Sequence, residues 1–179
     1  MRAAAKSVIC MVIMLRSILT IFCLAMLVVT SGIADAPRKA AVFDFELIDT
    51  SLEGEKRGVD PAETARLHKI SELLRDRLAK SGRFVIVPTA PAARQIADAG
   101  YIRGCNGCDA RIAKGLGADL AITGHVQKIS TLILNITVHV RDAGTGELLR
   151  SVNADIRGNT DESWAHGVGW LVRNRLLAD

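Results

Sequence analysis

The stretch GADLAITGHVQKISTLILNITVHVRDAGTGE, residues 117–147, contains two predicted β-strands and the Gly-rich turn that leads into a third. Residues 119–128 and 132–141 are predicted strands joined by a tight turn around Ser130, and residues 147–156 form the strand after the second turn. The middle strand alternates apolar and polar residues, which is the pattern of a strand with one buried face. The sequence therefore predicts an antiparallel meander with one face on the core and one polar face.

The part of the chain before the meander alternates predicted strands and helices. Residues 39–47 form a predicted strand, and the short apolar run Phe84–Val87 is expected to be a strand buried on both faces. Between them, Asp60, Pro61 and Glu63 form a helix start with a capping box. That helix then presents one apolar stripe to the core, made of Leu67, Ile70, Leu74 and Leu78.

Three further helices complete the predicted order. Residues 90–99 and 109–116 are predicted helices that end at glycines, and the last helix begins near residues 159–162. Its buried stripe is expected to comprise Trp164, Val168, Leu171, Val172 and Leu176. The order β-α-β-α-α-β-β-β-α predicts an α+β fold with an α/β-like start and a mixed five-stranded sheet.

Residues 1–34 have the parts of a secretory signal peptide. Basic residues come first, an apolar run follows over residues 18–29, and small residues precede a cleavage site after Ala34. An uncleaved membrane anchor is the alternative, but the run after Arg16 is shorter than the roughly 20 residues that span a bilayer. Met14 is an alternative start. We expect a single periplasmic domain over residues 35–179, which touches the membrane only through its leader before cleavage.

The net charge of the predicted mature domain excludes one class of partner. The whole chain carries a formal charge of +4, and three of its 23 Lys and Arg residues lie in the leader, which has no Asp or Glu. About +1 therefore remains on the mature domain, so no basic field for nucleic acid is expected.

Cys105 and Cys108 are the two cysteines that remain when the leader, with Cys10 and Cys23, is removed. An oxidising compartment and a single CxxC motif favour a short structural disulfide. Thiol–disulfide exchange is an alternative, because the motif precedes a helix and a helix N-terminus lowers the pKa of a thiol. A metal site is a third reading, although one CxxC supplies only half of a tetrahedral site.

The polar face of the meander and the stretch 49–59 are the predicted partner-binding surfaces. Residues 49–59 are polar and contain glycine, and we expect a mobile loop there. His125 and His139 lie on neighbouring strands, and a turn at Ser130 would place them roughly 13 Å apart, too far to share a metal ion. The partner-binding candidates are Glu53, Lys56, Arg57, His125, Gln127, Asn135, His139 and Arg141.

No catalytic residue is predicted. Asp44 and Glu46 are two apart on a predicted strand and could act as paired carboxylates, but the solvated face of a half-buried strand is the favoured interpretation. No serine lies in a nucleophile elbow, and Gly115-Leu116-Gly117 ends a helix instead of opening one, so no phosphate cradle is expected. No cofactor or metal is expected.

Four short signatures carry a resemblance to known envelope domains. They are AVFDF at residues 41–45, LAKSGRF at 78–84, GADLAITG at 117–124 and the hairpin turn at 142–147. Together they resemble the amino-terminal domain of TolB and the periplasmic domains of curli-secretion and penicillin-binding-protein-activator lipoproteins. The chain is also similar to a proteobacterial family of secreted domains of unknown function that share the cysteine pair.

The resemblance implies a binding and scaffolding domain of the cell envelope without catalytic residues. The expected function is that of a periplasmic, non-catalytic adaptor that binds another envelope protein. The alternative function is a periplasmic thiol–disulfide or sulfur-handling protein in which Cys105 attacks and Cys108 resolves. Fold analogy alone does not decide between them.

Overall fold

The computed structural model describes residues 36–178, so the predicted leader lies outside the described residues. The described chain forms one six-stranded mixed sheet with helices on both faces. Its strands are β1 (Arg38–Val42), β2 (Glu46–Asp49), β3 (Phe84–Val87), β4 (Leu120–Lys128), β5 (Ile133–Asp142) and β6 (Leu148–Arg157). Its α-helices are α1 (Leu52–Arg57), α2 (Pro61–Lys80), α3 (Ala93–Ala99), α4 (Cys108–Gly115) and α5 (Asp161–Leu171).

The strand order combines a parallel half and an antiparallel half. The strands run β3-β1-β4-β5-β6, and β2 pairs with β4 beyond the end of β1. Strand β1 is parallel to β3 and to β4, and β2 is parallel to β4. Strands β4, β5 and β6 form the antiparallel meander. The predicted mixed α+β fold is confirmed.

Helices α2 and α5 cover one face of the sheet and enclose the main core. Asp60 caps α2 by accepting a hydrogen bond from the amide of Ala62 (2.8 Å), and Ile70, Leu74 and Leu78 of α2 are buried. The predicted stripe of α5 and the turn after it, from Trp164 to Leu176, is buried as well. The backbone of α5 approaches the sheet closely at Gly167, where a Cβ would lie 2.6 Å from Ile156 Cγ2.

The second face of the sheet is covered over only half of its width. A smaller core of Ala41, Phe43 and Ala121 packs against Ile112 and Ala113 of α4. This cover reaches β1 and the beginning of β4. The remaining outward side chains of the meander form what we call the open sheet face: Gln127, Asn135, Thr137, Ser151, Asn153 and Asp155.

The prediction of one strand over residues 39–47 is wrong in its extent. The structure has two strands there, β1 and β2, and so the sheet has six strands instead of five. The strand breaks after Val42, so Phe43 joins the smaller core while Phe45 joins the main core. The ring of Phe45 fills the space over Gly124, where any Cβ would overlap it. The amide of Phe45, left without a ladder partner, donates to the hydroxyl of Ser71 in α2 (2.9 Å).

Two further expectations are corrected. The stretch 49–59 contains helix α1, because Ser51 caps it by accepting a hydrogen bond from the amide of Gly54 (3.1 Å) and Gly58 ends it with a φ of 74°. Strand β3 is at the edge of the sheet, so Val85 is 49% exposed and the strand is not buried on both faces.

Lys128 is a buried charge that joins three elements. Its ammonium, on a side chain only 2% exposed, lies 2.6 Å from Glu63 and 3.3 Å from both Asp49 and Glu53. Glu63 therefore binds Lys128 and Asn159 instead of closing the predicted capping box. Burial lowers the pKa of Lys128, but the hydrogen bonds to the three carboxylates outweigh burial and raise it. We call Lys128, Asp49, Glu53 and Glu63 the Lys128 cluster.

We predict that Lys128→Met destabilises the domain by about 3–5 kcal/mol, because it leaves the buried carboxylate of Glu63 without its cation. The double variant Lys128→Met/Glu63→Met should recover much of that loss, since it removes both charges. Urea unfolding measures both values. Lys69→Met, whose exposed ammonium pairs with Asp161, is the matched control and should cost less than about 1 kcal/mol. A loss at Lys128 as small as that of the control would contradict the cluster's role.

Candidate functional site

The segment around the cysteine pair lies over the border between the covered and the open parts of the sheet. We call residues 101–109 the disulfide segment. A 3₁₀ turn at Ile102–Gly104 is followed by a tight turn in which Asn106 and Gly107 have φ values of 53° and 87°. Cys105 and Cys108 are joined by a disulfide with a Cα–Cα distance of 5.5 Å, and α4 begins at Cys108.

Two ion pairs attach the disulfide segment to the sheet. Glu46 of β2 accepts hydrogen bonds from the amide of Ile102 (2.5 Å) and from the guanidinium of Arg103 (2.9 Å). Asp109, which is 4% exposed, lies 3.2 Å from the guanidinium of Arg141 on β5. Because one anchor lies on each side of the cysteine pair, the segment is fixed at both ends.

A polar cavity of about 320 Å³ lies beneath the disulfide segment. The segment forms its roof, from Ile102 to Asp109, and Thr123, His139 and Arg141 form its floor on β4 and β5. We call this cavity the anchor pocket, because Arg103 of one anchoring ion pair and both members of the other line it. Its volume is near the lower limit for small-molecule sites, which corresponds to a small polar group.

The structure brings His125 and His139 together, and the predicted separation of roughly 13 Å is wrong. Thr123 pairs with His139 and His125 with Thr137, so the two histidines are diagonal neighbours. Their ring centroids are 5.8 Å apart. The turn is centred about one residue later than Ser130, and that shift moves the histidines toward each other by one position on each strand.

Both imidazoles are half-buried and incompletely hydrogen-bonded. Nδ1 of His125 and Nδ1 of His139 are buried and have no hydrogen-bond partner within residues 36–178. Burial lowers the pKa of both rings, because it disfavours the charged form. The neighbouring imidazole and Arg103 lower the pKa of His125 further, and Arg141 lowers that of His139, while Glu46 and Asp109 oppose these effects.

The other predicted partner-binding residues divide between two places. Gln127 and Asn135 lie on the open sheet face, where Asn135 donates to Asp155 (2.8 Å) and accepts from Thr137 (2.8 Å). Glu53 belongs to the Lys128 cluster and pairs with Arg57 (3.2 Å). Its carboxylate is therefore on the helix-covered side of β4, away from the histidines, and Lys56 and Arg57 are exposed on α1.

Asp44 and Glu46 do not form a carboxylate pair. Asp44 makes an ion pair with Arg75 of α2, whereas Glu46 binds Arg103. The break between β1 and β2 directs the two side chains to different elements. Between residues 36 and 178, no group of three or more His, Cys, Asp or Glu side chains could hold a metal ion. None of the helices in that same range is long and apolar enough to cross a membrane.

Sequence reasoning missed two functional features. One is the anchor pocket, since nothing in the sequence pairs Arg103 with Glu46 or Asp109 with Arg141. The other is the turn between β4 and β5, where three large apolar residues are exposed. These residues, which we call the hairpin tip, are Ile129 (53% exposed), Leu132 (68%) and Ile133 (44%). Ile129 is an apolar residue at the predicted turn, and it is the signal that could have identified the tip, because turns are normally polar.

The chain belongs to the family DUF3280, whose model is described as "Protein of unknown function (DUF2380)" and matches residues 38–176. No curated protein matches the chain significantly. The prediction that the chain is a member of a family of unknown function is confirmed.

The chain is similar to solved structures from several bacteria. The C-terminal domain of LpoB from Salmonella enterica is 18% identical, with a TM-score of 0.50, over 74% of this chain and 91% of that one. The same domain from Escherichia coli is 16% identical, with a TM-score of 0.50, over 74% and 90%. TolB from Acinetobacter baumannii is 14% identical, with a TM-score of 0.41, over 79% of this chain and 28% of TolB. The predicted resemblance in fold is confirmed.

We predict that the two histidines make the domain less stable in acid. Their folded pKa values are below the unfolded value of 6.5, so the unfolded chain binds more protons. Their contribution is complete above about pH 6.5 and is lost as the pH falls through the lowered folded values. Urea unfolding at pH 5 and pH 7.5 should show a smaller pH dependence for His125→Gln/His139→Gln than for the wild type. An unchanged dependence, equal to that of the exposed control His166→Gln, would contradict this assignment.

Proposed function

We propose that the protein is a non-catalytic adaptor of the cell envelope that binds another envelope protein through the open sheet face and the hairpin tip. The observation that carries this proposal is the unequal cover of the sheet. One face is closed by α2 and α5, while the other is closed over β1 and the start of β4 only.

The open sheet face has the properties of a preformed contact surface. Asn135 forms hydrogen bonds with Thr137 on its own strand and with Asp155 on the next strand. These polar side chains of the open sheet face are therefore ordered before a partner binds. A surface that is already ordered loses less conformational entropy on binding. The meander behind it is held by the main core, which includes Leu134, Ile136 and Val138.

The hairpin tip supplies the apolar part of the proposed interface. Ile133 lies at the start of β5 on the same side as Asn135, so the tip continues the open sheet face. Protein interfaces combine an apolar centre with a polar rim, and adjacent exposed apolar residues mark such surfaces. The tip would be the apolar centre, and the open sheet face would be the larger polar part of the interface.

The predicted leader supports the location of the proposed function. Export of the chain after cleavage at residue 34 would place the domain in the periplasm, where a partner in the envelope can reach it. The fold shared with the LpoB domain is compatible with this role.

Site-specific photo-crosslinking in cells tests the adaptor function. A benzoylphenylalanine at Leu132 and another at Ser151 should form an adduct with the same envelope protein, because both positions face the proposed interface. Val59, which is 82% exposed between α1 and α2, is the control position and should not form that adduct. Leu132→Asp should reduce the adduct formed from Ser151 at least several-fold. Adducts of equal yield at Val59, or none at Leu132 and Ser151, would contradict the proposal.

Thiol–disulfide exchange is the second candidate function, and one observation favours it. Cys108 is the first residue of α4, and Gly107 provides no side-chain cap, so the sulfur lies at an uncapped helix N-terminus. Against this, Cys108 is packed in the smaller core with Ile102 and Ile112. That packing favours a structural role for the disulfide.

We predict that Cys105→Ser/Cys108→Ser lowers the free energy of unfolding by about 2 kcal/mol, the loop-closure entropy of a four-residue loop. Calorimetry should show a fall in melting temperature of roughly 5 °C. Incubation in glutathione buffers followed by thiol alkylation and mass spectrometry measures the reduction potential. A bond that stays oxidised near −200 mV agrees with a structural role, whereas equilibration there with unchanged melting would favour exchange.

A further inference from the structure

The charges around the anchor pocket cancel in pairs. Arg103 is paired with Glu46 and Arg141 with Asp109, so these four groups contribute no net charge. His139 is the remaining titratable side chain that lines the pocket among the described residues, and the ring of His125 lies 5.8 Å from its ring. Burial lowers the pKa of both imidazoles. At neutral pH the pocket is therefore close to uncharged. Each proton that an imidazole takes up adds one positive charge.

The pocket offers polar groups to a ligand. The side chain of Thr123, a residue only 6% exposed, lines it, and so does His139, whose Nδ1 is buried and has no hydrogen-bond partner within residues 36–178. The ring of His125 lies 5.8 Å from that of His139, and its Nδ1 is unpaired in the same range. Buried polar groups normally have a partner, so the Nδ1 atoms of these two imidazoles can hydrogen-bond to a ligand.

The available donors favour an anion over a cation. Both arginines line the pocket, and α4 begins at its edge with a first turn that has no side-chain cap. The carboxylates of Glu46 and Asp109 are already bound by these arginines. A metal ion would find two imidazoles but no third side-chain ligand.

We propose that the anchor pocket binds a carboxylate, and that binding is coupled to the uptake of one proton by the His125–His139 pair. The ligand arrives as an anion, one imidazole takes a proton from hydronium or a buffer acid in the solvent, and an imidazolium–carboxylate ion pair forms, so the net charge of the pocket is the same before and after binding. The hydroxyl of Thr123 donates a hydrogen bond to the bound carboxylate. A free small acid and the C-terminus of a peptide can both supply this group. The inference does not depend on the adaptor function.

NMR titration of the purified protein tests the proposal. Acetate and the peptide N-acetyl-Gly-Gly, which ends in a free carboxylate, are added at pH 5.5 and pH 7.5 at constant ionic strength. Both imidazole signals should shift in a saturable way, with an affinity up to about a hundredfold higher at pH 5.5, because the uptake of one proton changes the affinity by up to about tenfold per pH unit. Tighter binding of the peptide identifies a peptide end as the source, and equal or tighter binding of acetate identifies a free acid.

Matched variants assign the effect to the pocket. Thr123→Val keeps the shape and charge of the site but removes the hydroxyl, so it should weaken the binding of acetate at least several-fold. His139→Gln should reduce the pH dependence, whereas the exposed control His166→Gln should leave it unchanged. Arg103→Gln should change acetate binding more than Arg94→Gln, which makes the same charge change at an exposed position.

Three results would overturn the proposal. The first is the absence of saturable imidazole shifts with either anion at pH 5.5. The second is acetate binding of equal strength in wild type and Thr123→Val. The third is Zn²⁺ binding that strengthens with rising pH while acetate has no effect, because protons compete with a metal ion for imidazole.

Discussion

The ion pairs Glu46–Arg103 and Asp109–Arg141 hold the disulfide segment against the sheet, and the candidate site depends on them. Each pair joins the segment to a different strand, β2 or β5. The segment therefore lies at the boundary between the smaller core and the open sheet face. The anchor pocket is the space between the two attachments.

The break after Val42 gives Glu46 its position in this arrangement. Had the first strand continued without interruption, Phe45 could not have filled the space over Gly124 in the main core. With the break, Phe45 faces α2 and α5, and Glu46 faces the disulfide segment. The Lys128 cluster then ties the end of β4 to α1 and to the start of α2. Local packing of one aromatic ring thus positions a carboxylate of the site.

Sequence patterns predicted the elements better than the contacts between them. The alternation in β5 and the apolar stripes of α2 and α5 identified the buried faces, because these patterns are local. The separation of the histidines was wrong because a shift of one residue in the turn changes the register of the hairpin. The helix at Leu52–Arg57 was missed because Ser51 and Asp49 order a sequence that is polar and contains glycine. The pairs Glu46–Arg103 and Asp109–Arg141 join distant residues, and no local pattern predicts them.

NMR titration of the four histidines in the ligand-free protein tests the central claim most directly. If the register of β4 and β5 places His125 and His139 side by side, and the anchoring ion pairs balance the charge of the pocket beside them, both rings should titrate below pH 6.5. Their two steps should also be coupled, since each proton repels the next across 5.8 Å. Independent titration of both rings at or above pH 6.5 would contradict the account.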